Sequence, residues 1–355
     1  MARVLVRNPA GLDRAWAQSV LAQHQPGVRV AGLEVTDLDV GTTTRVQLKV
    51  SHDADLPRRW FVKLPSRSWK AWAITTLPQL PQTEVRFYRE LSAKVPIAHP
   101  RALAAERRTG RGFLLALADV TEEGAAPGHP SHSLSAARAG NMVELLARLH
   151  AAFWESPALS GELAWLAGPV RRLEDGLGSA MAVPLMRRGL ALAGELIPSE
   201  LHAPALSYAA ARRRVMRVLS AGPQTLIHHD CHPGNLYWRG ELPGLLDWQL
   251  VRSGEGISDV AYLLATALTP ELRRAEESEL LARYRDTLLA CGVAAPPLAV
   301  LRERYAIHLT YAFEAMVVTL AVGGLMESQA LAGLIERSAA AVADHGAFAC
   351  VAALL

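Results

Sequence analysis

Residues 226–238 read LIHHDCHPGNLYW, in which His228, His229, Asp230, Cys231 and His232 are five consecutive side chains of metal-binding type. Structural zinc needs four convergent ligands, commonly supplied as two spaced pairs. Adjacent residues on a strand point to opposite faces, so His228 and His229 cannot both reach one ion from a regular strand. His228, Asp230 and His232 could share a face, but no second Cys/His cluster elsewhere in the chain completes such a set. A metal-dependent hydrolase built from this run and distant ligands is one reading of the cluster.

Another reading starts at Asp230. Asn235 follows it by five residues, and Asp247 closes the later apolar run GLL. Phosphoryl transfer needs an aspartate to take the proton of the acceptor hydroxyl, and then an asparagine and an aspartate whose hard oxygens suit Mg²⁺. The same chemistry demands, upstream, a lysine on a strand and a glutamate on the following helix to hold it. Lys63 lies within FVKL, and Glu84 opens the helical pattern after it. Alone, Lys63 reads as an exposed edge lysine and Glu84 as a solvated first-turn carboxylate favoured by the helix dipole. Both stand in order ahead of Asp230, Asn235 and Asp247, which favours phosphoryl transfer.

Elements that could position these residues follow from periodicity. A short helix over Leu12–Gln23 precedes β-rich runs at Arg29–Asp39, Thr43–Val50 and Trp60–Leu64, with Gly41 as the turn between the first two. Gln82–Lys94 has Val85, Tyr88 and Leu91 at helical spacing, and two short strands follow near Arg101–Ala105 and Gly112–Leu117. From Ser135 onward the pattern is mostly helical, apart from two short strands, LIH and GLLDW, around the loop holding Asp230. The chain therefore reads as α+β: a small β-rich lobe, residues 1–117, and a large helical lobe, residues 118–355.

The stretches LIHHDCHPGNLYW, GLLDWQ and GISDVAYLL together resemble the core signature of the aminoglycoside phosphotransferase and choline kinase-like family of small-molecule kinases. DLPRRWFVKL, TEVRFYREL and LARLHAAFW resemble it too, in particular its ecdysteroid kinase-like branch, and the likeness runs from about Val35 to Leu264. The resemblance implies a bilobal protein kinase-like fold and a phosphotransferase with an alcohol group as acceptor. It implies Asp230 as the catalytic residue, Asn235 and Asp247 as Mg²⁺ ligands, and Lys63, fixed by Glu84, at the phosphates of ATP or GTP. Thr42, Thr43 and Thr44 would lie along the phosphates, Leu117, Ala118 and Val120 along the base, and Asp259 would brace the catalytic loop. His150 and His232 read as structural supports, Cys231 as core filler and Trp248 as packing beneath Asp247. The chain departs from the family pattern at His229, where glycine is common, at the sparse glycine content around Gly41, and in the hinge LALADV.

Composition narrows the partners. The net charge is +3 over 355 residues, and no run of five like charges suggests nucleic acid. The AMVVTLAVGGLM stretch is too short to suggest a membrane partner, and three scattered cysteines fit a reducing, cytoplasmic setting. Lysine occurs only at Lys49, Lys63, Lys70 and Lys94, which makes a lysine within a core strand the more telling. Carboxylates are needed to pair a polycationic acceptor. The acids after Leu301 (Glu303, Glu314, Glu327, Glu336, Asp344) are interspersed with arginines, so the expected acceptor is a neutral or anionic hydroxylated molecule. An aminoglycoside O-phosphotransferase and an inactive nucleotide-binding protein are the alternatives.

Overall fold

Apolar residues at every second position build the first sheet. The computed structural model describes residues 4–6, 8–40, 43–66, 80–108 and 112–355, so Gly41 and Thr42 lie outside the described residues. Strands β1 (Val30–Val40), β2 (Thr43–His52), β3 (Arg59–Pro65), β4 (Ala102–Arg108) and β5 (Gly112–Ala118) form one antiparallel sheet in the order β1-β2-β3-β5-β4. Val46 pairs with Val62, and Val62 with Ala116, which places this parity of side chains on one buried face.

Helix α1 (Arg14–Leu21) covers that face with Trp16, Ala17, Val20 and Leu21. Asp13 caps it, its side chain accepting from Trp16 N at 2.7 Å. The Trp16 ring meets Trp60 edge-on, with centroids 5.7 Å apart. The opposite parity of the sheet carries Lys63, opposite Leu115. Helix α2 (Leu80–Glu90) packs on β4 and β5 and buries Val85 and Phe87.

Contacts divide the chain into two units: Met1–Pro127 with Leu245–Leu250, and Gly128–Gly244 with Val251–Leu355. The first is thus a β-sheet lobe that includes a six-residue segment from much later in the chain. The second is helical, with α3 (Ala136–Phe153), α4 (Pro169–Ala193), α5 (His202–Val218), α6 (Ile257–Ala267), α7 (Pro270–Ala290), α8 (Leu298–Val322), α9 (Ser328–Asp344) and α10 (Ala347–Ala352). Short strands interrupt it: β6 (Gln224–Ile227), β7 (Leu236–Arg239), β8 (Leu242–Leu245) and β9 (Arg252–Glu255). Of these, β7 and β9 go beyond the two strands expected from sequence; both are short, polar at one end and defined by tertiary pairing. β6 and β9 run antiparallel, with Ile227 opposite Arg252.

Helix α6 is buried at every position from Ile257 to Ala267, wrapped by α8 and α9. Its start needs Gly256, where a Cβ would come within 2.5 Å of Tyr284 Oη and 2.6 Å of His150 Nδ1. Helix α8 is long and apolar enough to cross a membrane by length and composition, but 67% of its most apolar window is buried within the structure. It is built as a core helix of this unit, packed on α4 and α6.

Trp60 is fully buried at the centre of the first core. Trp60→Ala is expected to destabilise the protein by about 3–5 kcal/mol, read from the shift of a urea unfolding curve, because the surrounding strands cannot collapse into the space.

Candidate functional site

Three of the expected residues meet in the first unit. Lys63 Nζ donates to Glu84 Oε1 at 2.9 Å and Oε2 at 2.8 Å, and lies 3.1 Å from Asp247 Oδ2. Strand β3 aims Lys63 to this side of the sheet, α2 presents Glu84, and the Leu245–Leu250 segment delivers Asp247. Trp248 fixes that segment by stacking on Phe87, with centroids 4.1 Å apart and planes within 7°. Asp247 takes a left-handed backbone, φ 57°. Such a conformation costs a non-glycine residue energy and collects at functional sites.

The electrostatics of this triad are lopsided. Burial works against the Lys63 ammonium, but Asp247 and Glu84 outweigh it and raise its pKa. Burial pushes the Glu84 carboxyl up to about 7 against the pull of Lys63, with Asp247 adding to the rise. One ammonium faces two acids, which leaves an excess of negative charge that a cation would offset.

The other expected residues meet in the second unit. Asp230 Oδ1 accepts from Tyr262 Oη at 2.8 Å, and Asp230 Oδ2 accepts from Asn235 Nδ2 at 2.9 Å. The same Asn235 nitrogen also donates to the Asp230 carbonyl at 2.9 Å. The Asn235 amide thereby closes the loop, and its nitrogen is committed to Asp230. The Asn235 side-chain oxygen is the atom it can offer a cation.

Behind the loop, Asp259 is fully buried at the start of α6 and accepts the backbone N–H of His228 and of His229, both at 2.7 Å. His150 Nε2 lies 3.3 Å from Asp259 Oδ2, and its Nδ1 lies 2.9 Å from Tyr284 Oη. His150 thus ties α3 and α7 to the loop support.

The run of metal-binding types disperses. His229 turns through φ 70° and stacks on Tyr311, with centroids 4.1 Å apart. His232 Nδ1 accepts from Gly234 N at 3.0 Å, which shapes the loop locally. Cys231 is buried, and burial, with Asp259 and Asp230 beside it, pushes its thiol well up and keeps it protonated. Among the described residues no group of three or more His, Cys, Asp or Glu could hold a metal ion. A centre of the zinc-hydrolase kind, which needs such a group, therefore has no support among them.

The remaining expected residues sit in secondary structure. Thr43 and Thr44 are buried in β2, and Thr44 Oγ1 donates to Pro65 O at 3.3 Å. Leu117 and Ala118 end β5, and the Ala118 N–H is already bonded to Arg101 O at 2.8 Å. Val120 opens a short helical turn, and its carbonyl accepts from Ala125 N at 3.2 Å.

Tyr262 is not among the residues singled out from sequence, where it stands as one apolar-flanked tyrosine within AYLL. Its signal is the helical spacing from Asp259, which puts both on one face of α6. Tyr311, Arg252 and Asp175 were missed as well, and no local pattern marks them. Arg252 Nη2 donates to Asp175 Oδ2 at 2.6 Å.

Asp259→Ala leaves two buried N–H groups without their acceptor. It is expected to cost about 2–5 kcal/mol in urea unfolding and to speed amide exchange at His228 and His229. Unchanged exchange there would show that the loop is held by other contacts.

Comparison with known proteins bears on the family and the fold. Residues 37–294 match the model of the phosphotransferase enzyme family. No curated protein sequence matches. Among solved structures, the GDP complex of wild-type aminoglycoside 2'-phosphotransferase-IIIa is 14% identical, with a TM-score of 0.50 over 96% of this chain and 99% of that one. Choline kinase LicA from Streptococcus pneumoniae is 14% identical, with a TM-score of 0.49 over 92% and 98%. Macrolide 2'-phosphotransferase MphH from Brachybacterium faecium is 18% identical, with a TM-score of 0.42 over 92% and 96%. The chain belongs to the phosphotransferase enzyme family.

Proposed function

We propose that this protein transfers the γ-phosphate of ATP or GTP to a hydroxyl of a small neutral or anionic molecule, with Asp230 as the base. The observation that carries the reading is the Asp230 carboxylate, held at one oxygen by Tyr262 and at the other by Asn235. Each oxygen keeps a lone pair, so the carboxylate can take the acceptor's proton without losing its supports. The acceptor oxygen forms its bond to the γ-phosphorus as the bond to the β–γ bridging oxygen breaks, and the nucleoside diphosphate leaves.

Asn235 and Asp247 are the proposed Mg²⁺ ligands. Their oxygens are of the right hardness, and the unbalanced negative charge around Lys63 suits a divalent cation. When bound, the metal supplies charge neutralisation to the phosphates. Lys63 is the proposed donor to the α- and β-phosphates, with Glu84 keeping its ammonium in place. Thr42 to Thr44 and the Leu117–Val120 backbone are proposed to flank the nucleotide. Ala118 serves there by its carbonyl, since its N–H is engaged.

A neutral or anionic acceptor is supported by how the acids of the helical unit are used. Glu314 is bonded by Arg212 and Tyr208, Asp344 by Arg273 and Arg274, and Glu255 by Arg304. Asp175 is bonded by Arg252. An ammonium-rich acceptor could draw on these four carboxylates only by breaking their pairs.

Thermal-shift titrations with ATP and GTP, with and without Mg²⁺, test the donor. Stabilisation by one nucleotide only in the presence of Mg²⁺ is expected. Asp230→Asn should lower transfer by about 10²–10⁴-fold and leave nucleotide affinity unchanged. Retained transfer removes Asp230 from the role of base.

A further inference from the structure

Helix α4 has two apolar faces, and the core of the helical unit uses one of them. The inner face buries Ala182, Met186 and Leu190. It also carries Gly189, where a Cβ would come within 2.4 Å of Val317 Cγ1 on α8, so this side is fitted closely to its neighbour. The outer face carries Leu173, Leu177 and Met181 at four-residue spacing, and Leu192 continues it toward the C-terminal end. These four are 38–55% exposed, out of eleven large apolar side chains exposed among the described residues. Single apolar side chains on a surface are ordinary, but a stripe of them along one helix marks a contact surface.

The charge around the stripe has one sign. Arg172, Arg187 and Arg188 stand exposed on α4, and Arg213, Arg214 and Arg217 stand exposed on α5, which packs against it. None of the six makes an ion pair among the described residues. The acids of α4 are already paired, Glu174 with Arg171 and Asp175 with Arg252 at 2.6 Å. Residues 169–218 hold eight arginines, no lysine and four acids, a formal charge of +4, whereas the rest of the chain sums to −1. The net positive charge of the protein is thus concentrated on this pair of helices.

An anionic bilayer surface matches both properties. Its headgroups answer the arginines, while the Leu–Met stripe enters the boundary between headgroups and acyl chains. An arginine beside such a stripe lays its methylenes along the apolar surface and keeps its guanidinium at the headgroups. Nucleic acid would answer the arginines but not the stripe. A second copy of the chain would cover the stripe only by setting arginine against arginine.

We propose that the outer face of α4, with the arginines of α5 adding to its field, docks the protein on a membrane surface rich in anionic lipid. No spanning segment is needed for such a contact, and α8 remains a core helix. The contact does not depend on which donor or acceptor the phosphotransferase reaction uses.

Flotation of the full-length protein with vesicles of phosphatidylcholine, either alone or with about a third phosphatidylglycerol, tests this. Binding to the anionic vesicles only is expected, falling at least about tenfold between about 50 and 300 mM salt. Arg187→Gln with Arg188→Gln should lower the partition coefficient about 25-fold, or about fivefold for each arginine near the surface. Leu177→Gln with Met181→Gln should lower it about tenfold or more and leave its salt dependence in place. All four side chains are exposed, so neither pair should move the thermal unfolding midpoint. Failure to bind anionic vesicles overturns the proposal, as does equal binding to neutral ones or binding that survives both double variants. A dimer seen by light scattering and abolished by either pair, in a protein that ignores vesicles, assigns the face to a second copy and overturns it too. Retention by duplex DNA without vesicle binding assigns the arginines to nucleic acid, with the same consequence.

Discussion

The carboxylate of Asp259 receives two consecutive backbone N–H groups, those of His228 and His229, and the geometry of the catalytic loop depends on this contact. Two N–H groups converging on one carboxylate fix the peptide between them more tightly than one bond could. That peptide leads into the left-handed turn at His229, a conformation uncommon for residues other than glycine. From the turn the chain emerges at Asp230, already oriented toward Tyr262 on the same helix as Asp259. Helix α6 is buried along its whole length, so both anchors move with the core and not with the surface.

Much of this was legible in the residues. Lys63 in an apolar strand, Glu84 at the head of a helix and the Asp230–Asn235–Asp247 order each sit in local patterns, and local patterns are what a sequence displays. The loop supports Asp259 and His150 were legible only through resemblance. Tyr262 was not read, because a tyrosine inside AYLL looks like any other core residue until its hydroxyl is seen on Asp230. Arg252, Asp175 and Tyr311 were hidden for a different reason. Their partners lie tens of residues away, and no spacing rule connects them. The cluster of histidines and cysteine misled in the opposite direction, since proximity in the chain says nothing of where side chains point once the backbone turns.

The scarcity of lysine also has a structural counterpart. In the helical unit the buried or half-buried cations are arginines, each shared among several acceptors: Arg212 with Glu314, Asp175 O and Ser179, and Arg273 with Glu277 and Asp344. A planar guanidinium can satisfy two or three such groups at once, which an ammonium in the same place could not do with the same geometry. Lys63 is the case where a compact charge is wanted, held between two carboxylates.

The discontinuity of the first unit bears on biosynthesis. Residues 1–127 leave the ribosome well before Leu245–Leu250 are made, yet that later segment belongs to the same unit and supplies Asp247 and Trp248. Until it arrives, the nascent sheet has a lysine–glutamate pair lacking its third member, and Phe87 lacks the indole it stacks on. The N-terminal portion therefore waits, incomplete, through the synthesis of more than a hundred further residues. In a growing cell that interval is a window of exposure to chaperones and proteases, and a fragment ending near residue 127 would never leave it.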